Sequence, residues 1–489
     1  MQHSPPDRPA PSGTFGSPGT PAPGKTPGSK RTPGSKGTPA PGGGPDSPDT
    51  PAPTGLPRVL GLWDIVAIVV GGIIGSGIFL VPAAIASQVG SPVLFLSVWV
   101  VGGLLSFFGA LAFAELAAAF PQAGGAYVYL REAYGTLVAF LFGWTLFLVV
   151  DTGAMATLAV AFSTMYLPYF LDLSPAAGKL IAVAMIVALV AVNYVGVRWG
   201  ANVQNGLTII KFGALAGVCL IVFLFAEGDP SNFVRPASEP MSWNLAGGFG
   251  IALVAVLWAY KGWESASYSA GETRDPGRNV PLGLFIGVLT IIGIYLVTNL
   301  AYLYVFPTGA IATSDRIASD AMSVAIGPMG ASVIAVLILI SIVGAANQVL
   351  LTSPRVYYAM AKDGLFFRHI SEVHPRFRTP HLSILAMGAW AIVLSLSGTF
   401  EQLFTYVIFG QWIFFGLTVG AVFILRKKHP KMHRPYRTFG YPVTPILFIL
   451  AALAISLNSL VNETWNALAG LLIIGLGLPA YWYWRKRPG

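Results

Sequence analysis

Charge is scarce in this chain. Only 10% of its 489 residues are Asp, Glu, Lys or Arg, against 54% hydrophobic, where a typical soluble domain carries about 25% charged residues. So apolar a chain cannot hide its greasy surface in one water-soluble core. This excludes a soluble enzyme or binding module and implies a membrane protein. Cysteine is nearly absent: Cys219 stands alone, inside an apolar run, so no intrachain disulfide can form. Histidine is sparse as well. His3, His369, His374, His381, His429 and His433 fall in the N-terminal stretch, in loops or at the edge of an apolar run. None sits mid-membrane, which argues against haem, zinc or another metal or cofactor in the bilayer. The net charge of +9 does not point to nucleic acid. Its cations lie in short loops between apolar runs, not on a face with aromatic platforms.

The first 56 residues are a different material. They are rich in Pro, Gly, Ser and Thr, with TPGSK at 26–30 and again at 32–36. Such a segment buries too little apolar area to offset the entropy of ordering, so 1–56 reads as a disordered cytoplasmic tail. It lacks an apolar core and is not expected to act as a secretory signal. A solvated tail with no specific role and a regulatory tail are both compatible with this composition.

Apolar runs able to cross about 30 Å of hydrocarbon lie at 62–89, 93–119, 136–165, 177–197, 203–226, 244–270, 282–306, 329–358, 381–398, 400–425, 443–461 and 466–484. The boundary between the ninth and tenth rests on Gly398 and Thr399 alone. Twelve spans put both termini on one side. With that side inside, the cytoplasmic segments hold Arg131, Arg198, Arg274, Arg278, Arg355, Lys362, Arg368, Arg376, Arg378, the cluster 426–437 and Arg485 to Arg487. The outer loops hold only Lys179, Arg235 and Arg316. The asymmetry makes the termini cytoplasmic.

Asp151, Lys211, Lys261 and Glu264 are the ionisable residues deepest in apolar sequence, and Glu115 lies nearer the inner end of the second run. A charge at the bilayer centre costs about 2.5–3.5 kcal/mol on insertion scales, so these residues should face protein or a water-filled cavity. The first run contains Gly71, Gly72, Gly75 and Gly77 around Ser76. The sixth has Gly247, Gly248 and Gly250 and then WAYKGWES, Trp258 to Ser265. Glycine-interrupted runs five apart point to a carrier built from two inverted five-helix repeats, here 57–226 and 244–425, with 443–489 outside them. Unwinding there would free N–H groups for an anion and carbonyls for an ammonium, the two ends of an α-amino acid. Taken alone, Gly71, Gly72 and Gly75 are equally compatible with close helix packing.

From about residue 58 onward the chain resembles the amino acid–polyamine–organocation superfamily, especially bacterial amino acid permeases related to the L-type amino acid transporters. The resemblance rests on GGIIGSGIF (71–79), FAELAAAFPQAGGAYVYLREAYG (113–135), NGLTIIKFGAL (205–215), LWAYKGWES (257–265), DPGRNVP (275–281), SPRVYYAMAKDGLFF (353–367) and RPYRTFGYPVTP (434–445). It implies an all-α fold of twelve transmembrane helices with broken helices one and six, and a sodium-independent, alternating-access carrier of the plasma (inner) membrane. Carried over onto this sequence, the amides of Gly75, Ser76 and Gly77 would take the substrate carboxylate. The carbonyls of Ile73, Trp258 and Ala259 would take its amine. Trp258 stands at an aromatic gate, though an ordinary packed aromatic is its plain reading; Tyr260 and Gly262 belong to the same unwound stretch. Lys211 would replace a sodium ion between the first and eighth spans, with Ser341 and Asn347 as neighbours. Burial disfavours the charged form of an amine, the basis for a proton-coupling role; a permanently charged strut is the alternative.

Lys261 departs from the family pattern, which usually has a small or acidic residue there and often an arginine at the place of Asp151. Asp151 and Lys261 are therefore expected to form a charge-swapped ion pair in the site wall. Lys261 could instead meet an acidic substrate side chain, or Glu264. No catalytic set is present: a membrane hydrolase needs paired aspartates, a Ser/His set or metal ligands, and a channel needs a filter or charge ring. The expected function is secondary active transport of neutral amino acids by proton symport. Exchange is the alternative, and a nutrient sensor on the same fold a more remote one. Heavy-chain-linked relatives use an outer-loop cysteine; Cys219 is in the fifth span, so no such partner is expected. The lipid bilayer, the substrate and protons are the remaining expected partners.

Overall fold

The computed structural model describes residues 56–234, 243–397, 400–462 and 464–486. The expected tail, apart from Leu56, lies outside the described residues, as do Arg235, Arg487 and the boundary residues Gly398 and Thr399.

In hydrocarbon every backbone polar group must be satisfied internally, and a helix does this within one segment. The described chain is helical accordingly, and its only β contact is an isolated bridge between Leu60 and Thr273. The helices are α1 (Leu62–Ile73), α2 (Gly77–Val89), α3 (Pro92–Ala119), α4 (Ala126–Tyr134), α5 (Thr136–Thr145), α6 (Asp151–Val160), α7 (Pro175–Val195), α8 (Val197–Phe225), α9 (Trp243–Ala259), α10 (Pro276–Val305), α11 (Thr308–Thr313), α12 (Ile317–Ile326), α13 (Met329–Thr352), α14 (Pro354–Lys362), α15 (His381–Ser397), α16 (Phe400–Lys428), α17 (Val443–Asn462) and α18 (Thr464–Arg485). Proline opens α3, α7, α10 and α14 at the first turn, where its missing N–H costs nothing. Among the described residues, eight helical segments are long and apolar enough to cross a membrane, and the pair α1–α2, bent by 47°, makes a ninth candidate. This is a polytopic membrane protein. Each apolar run of the sequence falls on one helix or on a succession of them. The sixth is α9 followed by a tight 3₁₀ segment, Trp263–Glu272.

The run 136–169 is not a uniform helix. Wider π-helical turns at Leu146–Val150 and Ala161–Tyr166 flank α6. The Thr152 hydroxyl donates to the Phe147 carbonyl at the first of them. Such turns shift the helical register locally, and the segment between them carries Asp151 and Thr157.

Two motifs of the sequence are anchors. Glu115 on α3 accepts both Arg426 Nε (2.9 Å) and Nη2 (2.6 Å), and the Thr438 N–H and hydroxyl at 2.7 Å each. That ties RPYRTFGYP to α3. In the QAGGA turn, a Cβ on Gly125 (φ +45°) would sit 2.6 Å from Ser267 Oγ, so only glycine lets this turn lie on the 3₁₀ segment.

Candidate functional site

The first break is three residues long. α1 ends at Ile73, and α2 restarts at Gly77. The Gly75 N–H turns back to the Ile73 carbonyl at 2.8 Å. The N–H groups of Ser76, Gly77 and Ile78 find no acceptor among the described residues, as expected of a helix start. The second break runs from Tyr260 to Gly262, which holds φ +126°. The breaks press backbone to backbone. A Cβ on Gly262 would lie 2.8 Å from the Gly72 carbonyl group, and one on Gly77 would lie 3.0 Å from Ala259 Cα. Gly75 has open space beside it, its nearest neighbour being the Ile73 carbonyl oxygen at 4.0 Å.

Here a cavity of about 110 Å³ opens. Gly72, Ile73 and 75–77, with Ala259 and Gly262, form one wall. Asp151 and Thr157 of α6, Lys261 within the second break, Glu264 and Ser265 beyond it, and Gln348 of α13 line the rest. Trp258 lines it too, packed near Gly77. Tyr260 does not line it: its ring lies against Trp99 (6.1 Å between centroids) and Tyr295 (5.2 Å), and its buried hydroxyl has no hydrogen-bond partner among the described residues.

The charges are divided differently from the expected ion pair. Asp151 accepts the Ser353 hydroxyl at 2.5 Å. Glu264 accepts Gln411 Nε2 at 2.9 Å and the Gly262 N–H at 3.0 Å. Lys261, half-buried at the cavity edge, lines the same cavity but makes no ion pair of 4 Å or less with either carboxylate. The structure thus brings Asp151 and Lys261 to one cavity without a contact of 4 Å or less between their charged atoms.

Lys211 on α8 is fully buried. Its ammonium donates to the Gly71 and Ile74 carbonyls at 2.7 and 2.8 Å, closing the C-terminal end of α1. Its neighbour on α13 is Gly344, where a Cβ would lie 2.5 Å from Lys211 Cε. The two expected neighbours make no hydrogen bond to it. Ser341 Oγ is buried without a hydrogen-bond partner among the described residues, and Asn347 is engaged by Asn193, Gln204 and the Gly200 carbonyl.

Sequence reasoning missed Tyr295 on α10. Its hydroxyl lies 2.9 Å from the Ile73 carbonyl and 3.3 Å from the Ala259 carbonyl, and so joins the C-terminal ends of both broken helices. Thr157 and Gln348 were missed as well. Among the described residues, Thr157 Oγ1 is buried without a hydrogen-bond partner, and the Gln348 amide, beside Gly72, reaches only Thr352 Oγ1 at 3.4 Å.

Arg355 and Glu272, both buried, pair through Nε–Oε2 at 2.5 Å and Nη2–Oε1 at 3.1 Å. The Glu272 carbonyl also accepts Val59 and Leu60 N–H at 2.8 and 2.9 Å, and Arg274 N–H donates to the Leu60 carbonyl at 2.8 Å. Further along α2 and α13 lies a second cavity of about 370 Å³ lined by Phe79, Tyr166, Arg316 and Ile338 among others.

The profile of the amino acid permease family matches residues 60–478. The serine/threonine exchanger SteT of Bacillus subtilis is 33% identical over 88% of this chain and 98% of its own length. The human b(0,+)-type amino acid transporter 1 is 31% identical over 87% and 88%, and the human cystine/glutamate transporter 29% over 88% and 87%. These relatives are named as carriers, none as an enzyme. Two broken helices meeting on a cavity with free N–H groups agree with that match, and the chain belongs to the amino acid permease family.

Proposed function

We propose that the protein is a sodium-independent, secondary active carrier of neutral amino acids that works by alternating access in the inner (plasma) membrane. The observation that carries this reading is the cavity at the contact of the two breaks. The free N–H groups of Ser76, Gly77 and Ile78, at the positive end of α2, suit a carboxylate. The Ile73 and Ala259 carbonyls, each with a second lone pair beside Tyr295, suit an ammonium. The side chain of a bound amino acid would face Thr157, Ser265 and Gln348, small or uncharged groups, with Lys261 disfavouring a cationic substrate. The small volume favours small and mid-sized side chains.

The fold reading that goes with this is twelve spans in two inverted five-helix repeats, with α17 and α18 outside them and both termini cytoplasmic. It is supported by which elements touch. The first run packs on the sixth through α2 and α9, the second on the seventh through α3 and α10, the third on the eighth through α6 and α13, and the fourth on the ninth through α7 and α15. These are the pairs that a pseudo-two-fold axis would relate. The 370 Å³ cavity is then the outer vestibule, and the Arg355–Glu272 pair closes the inner path.

We place exchange ahead of proton symport. One relative is named an exchanger, and two carbonyls at a helix C-terminus suit a Lys211 ammonium that stays in place as a strut. Symport remains the second reading, because loss of the Lys211 proton would loosen α1. Proteoliposomes loaded with or without unlabelled amino acid separate the two. Exchange requires labelled uptake that depends on internal amino acid. Uptake into empty vesicles driven by an imposed pH gradient would overturn exchange in favour of symport. Binding with no uptake in either case would leave a sensor.

A further inference from the structure

We infer that a cleft between α14 and α18 binds the headgroup of an anionic phospholipid. The cleft encloses about 720 Å³ and lies apart from the substrate cavity, at the end of α18. Three cations line it, Lys362 at the end of α14, Arg368 just beyond, and Arg485 at the end of α18. Its one acidic lining residue, Asp363, is already taken by Arg131 Nη1 at 2.5 Å and the Tyr127 hydroxyl at 2.9 Å. No carboxylate lies within 4 Å of Lys362, Arg368 or Arg485 among the described residues. The cleft therefore presents uncompensated positive charge to whatever enters it.

The other wall is aromatic. Phe366, Tyr481 and Trp484 line the cleft, with the Phe366 and Trp484 rings 5.6 Å apart and tilted by 31° to each other. Arg485 lies over the Trp482 ring at 5.4 Å. Tryptophan and tyrosine next to cations mark the headgroup level of a bilayer, and basic pockets between spans bind anionic headgroups. The apolar stretch of α18 is only 22% buried, and Leu472 and Leu476 on it are 65% and 52% exposed. Phe367, on the lip of the cleft, is 59% exposed. An amphiphile fits this arrangement: phosphate among the three cations, acyl chains along the outer face of α18. A free phosphate ion would use the cations but not the aromatic wall or the exposed leucines.

Native mass spectrometry of the purified full-length chain tests this, with short-chain phosphatidylglycerol, short-chain phosphatidylcholine and inorganic phosphate as separate probes. Phosphatidylglycerol should be retained in preference to phosphatidylcholine, inorganic phosphate should not displace it, and added salt should weaken it. Replacing Lys362, Arg368 and Arg485 by Gln should cost about fivefold in affinity for each cation removed. Equal retention of the two lipids, or displacement by inorganic phosphate at matching concentrations, overturns the proposal. So does unchanged phosphatidylglycerol binding in the triple variant. The lipid comparison and the salt series use the unmodified chain, so the proposal is tested even where the triple variant does not fold.

Discussion

Gly262 and Tyr295 carry the contact between the two breaks, in opposite ways. Gly262 works by having no side chain. Alanine there would face a strained φ of +126° and a 2.8 Å clash with the Gly72 carbonyl group. Strain of this kind costs about 1–3 kcal/mol, and here it falls on the site. We expect Gly262→Ala to keep its helical circular dichroism while amino acid affinity, read by calorimetry, falls by about one to two orders of magnitude. Tyr295 works by supplying one hydroxyl to two carbonyls. Tyr295→Phe should lower stability by about 1–3 kcal/mol, the cost of leaving buried acceptors short of a donor. Because a substrate ammonium can refill those carbonyls, the thermal shift on adding amino acid should be larger in the variant than in the parent. An unchanged shift would mean that the amine binds elsewhere. The glycines were legible in the sequence because their spacing inside an apolar run is a local anomaly. Tyr295 was not, since an aromatic in an apolar run reads as packing and its partner Ile73 lies 222 positions away.

Helix extents were legible for the same local reason, since length and apolarity belong to each run by itself. What holds one run to another was not. Arg355 reads as a loop cation, yet it is 1% exposed and bound by Glu272 at the end of the 3₁₀ segment. The pair joins α14, the 3₁₀ segment and the chain entering α1; on the proposed alternating-access reading, opening the cavity on the inner side requires it to part. Glu272→Gln leaves a buried guanidinium without its counter-charge and should destabilise by about 3–5 kcal/mol. Replacing both partners, Arg355→Met with Glu272→Leu, should restore folding but weaken the closure. In a Cys219→Ala background, Ser265→Cys should then react faster with a membrane-impermeant thiol reagent applied from that side. An unchanged labelling rate would show that the pair is structural only.

For the molecule as a whole, the cation asymmetry between alternate loops makes a topological claim. Cysteines placed at Lys427 and at Ser314 in that background should label from opposite sides of intact cells, with Lys427→Cys protected from outside. Labelling of both from outside would undo the orientation. Lys211 bears on something larger than the site. A dissolved cation between the Gly71 and Ile74 carbonyls would cross with the cargo on each turnover, whereas this ammonium is covalently part of the wall. On the exchange reading, swapping one zwitterion for another moves no net charge, and the membrane voltage, about 2.3 kcal/mol per elementary charge per 100 mV, can do no work on it. Uptake should be indifferent to a potassium diffusion potential. Such a carrier cannot concentrate the total pool of its substrates. It can only redistribute their proportions between the two sides.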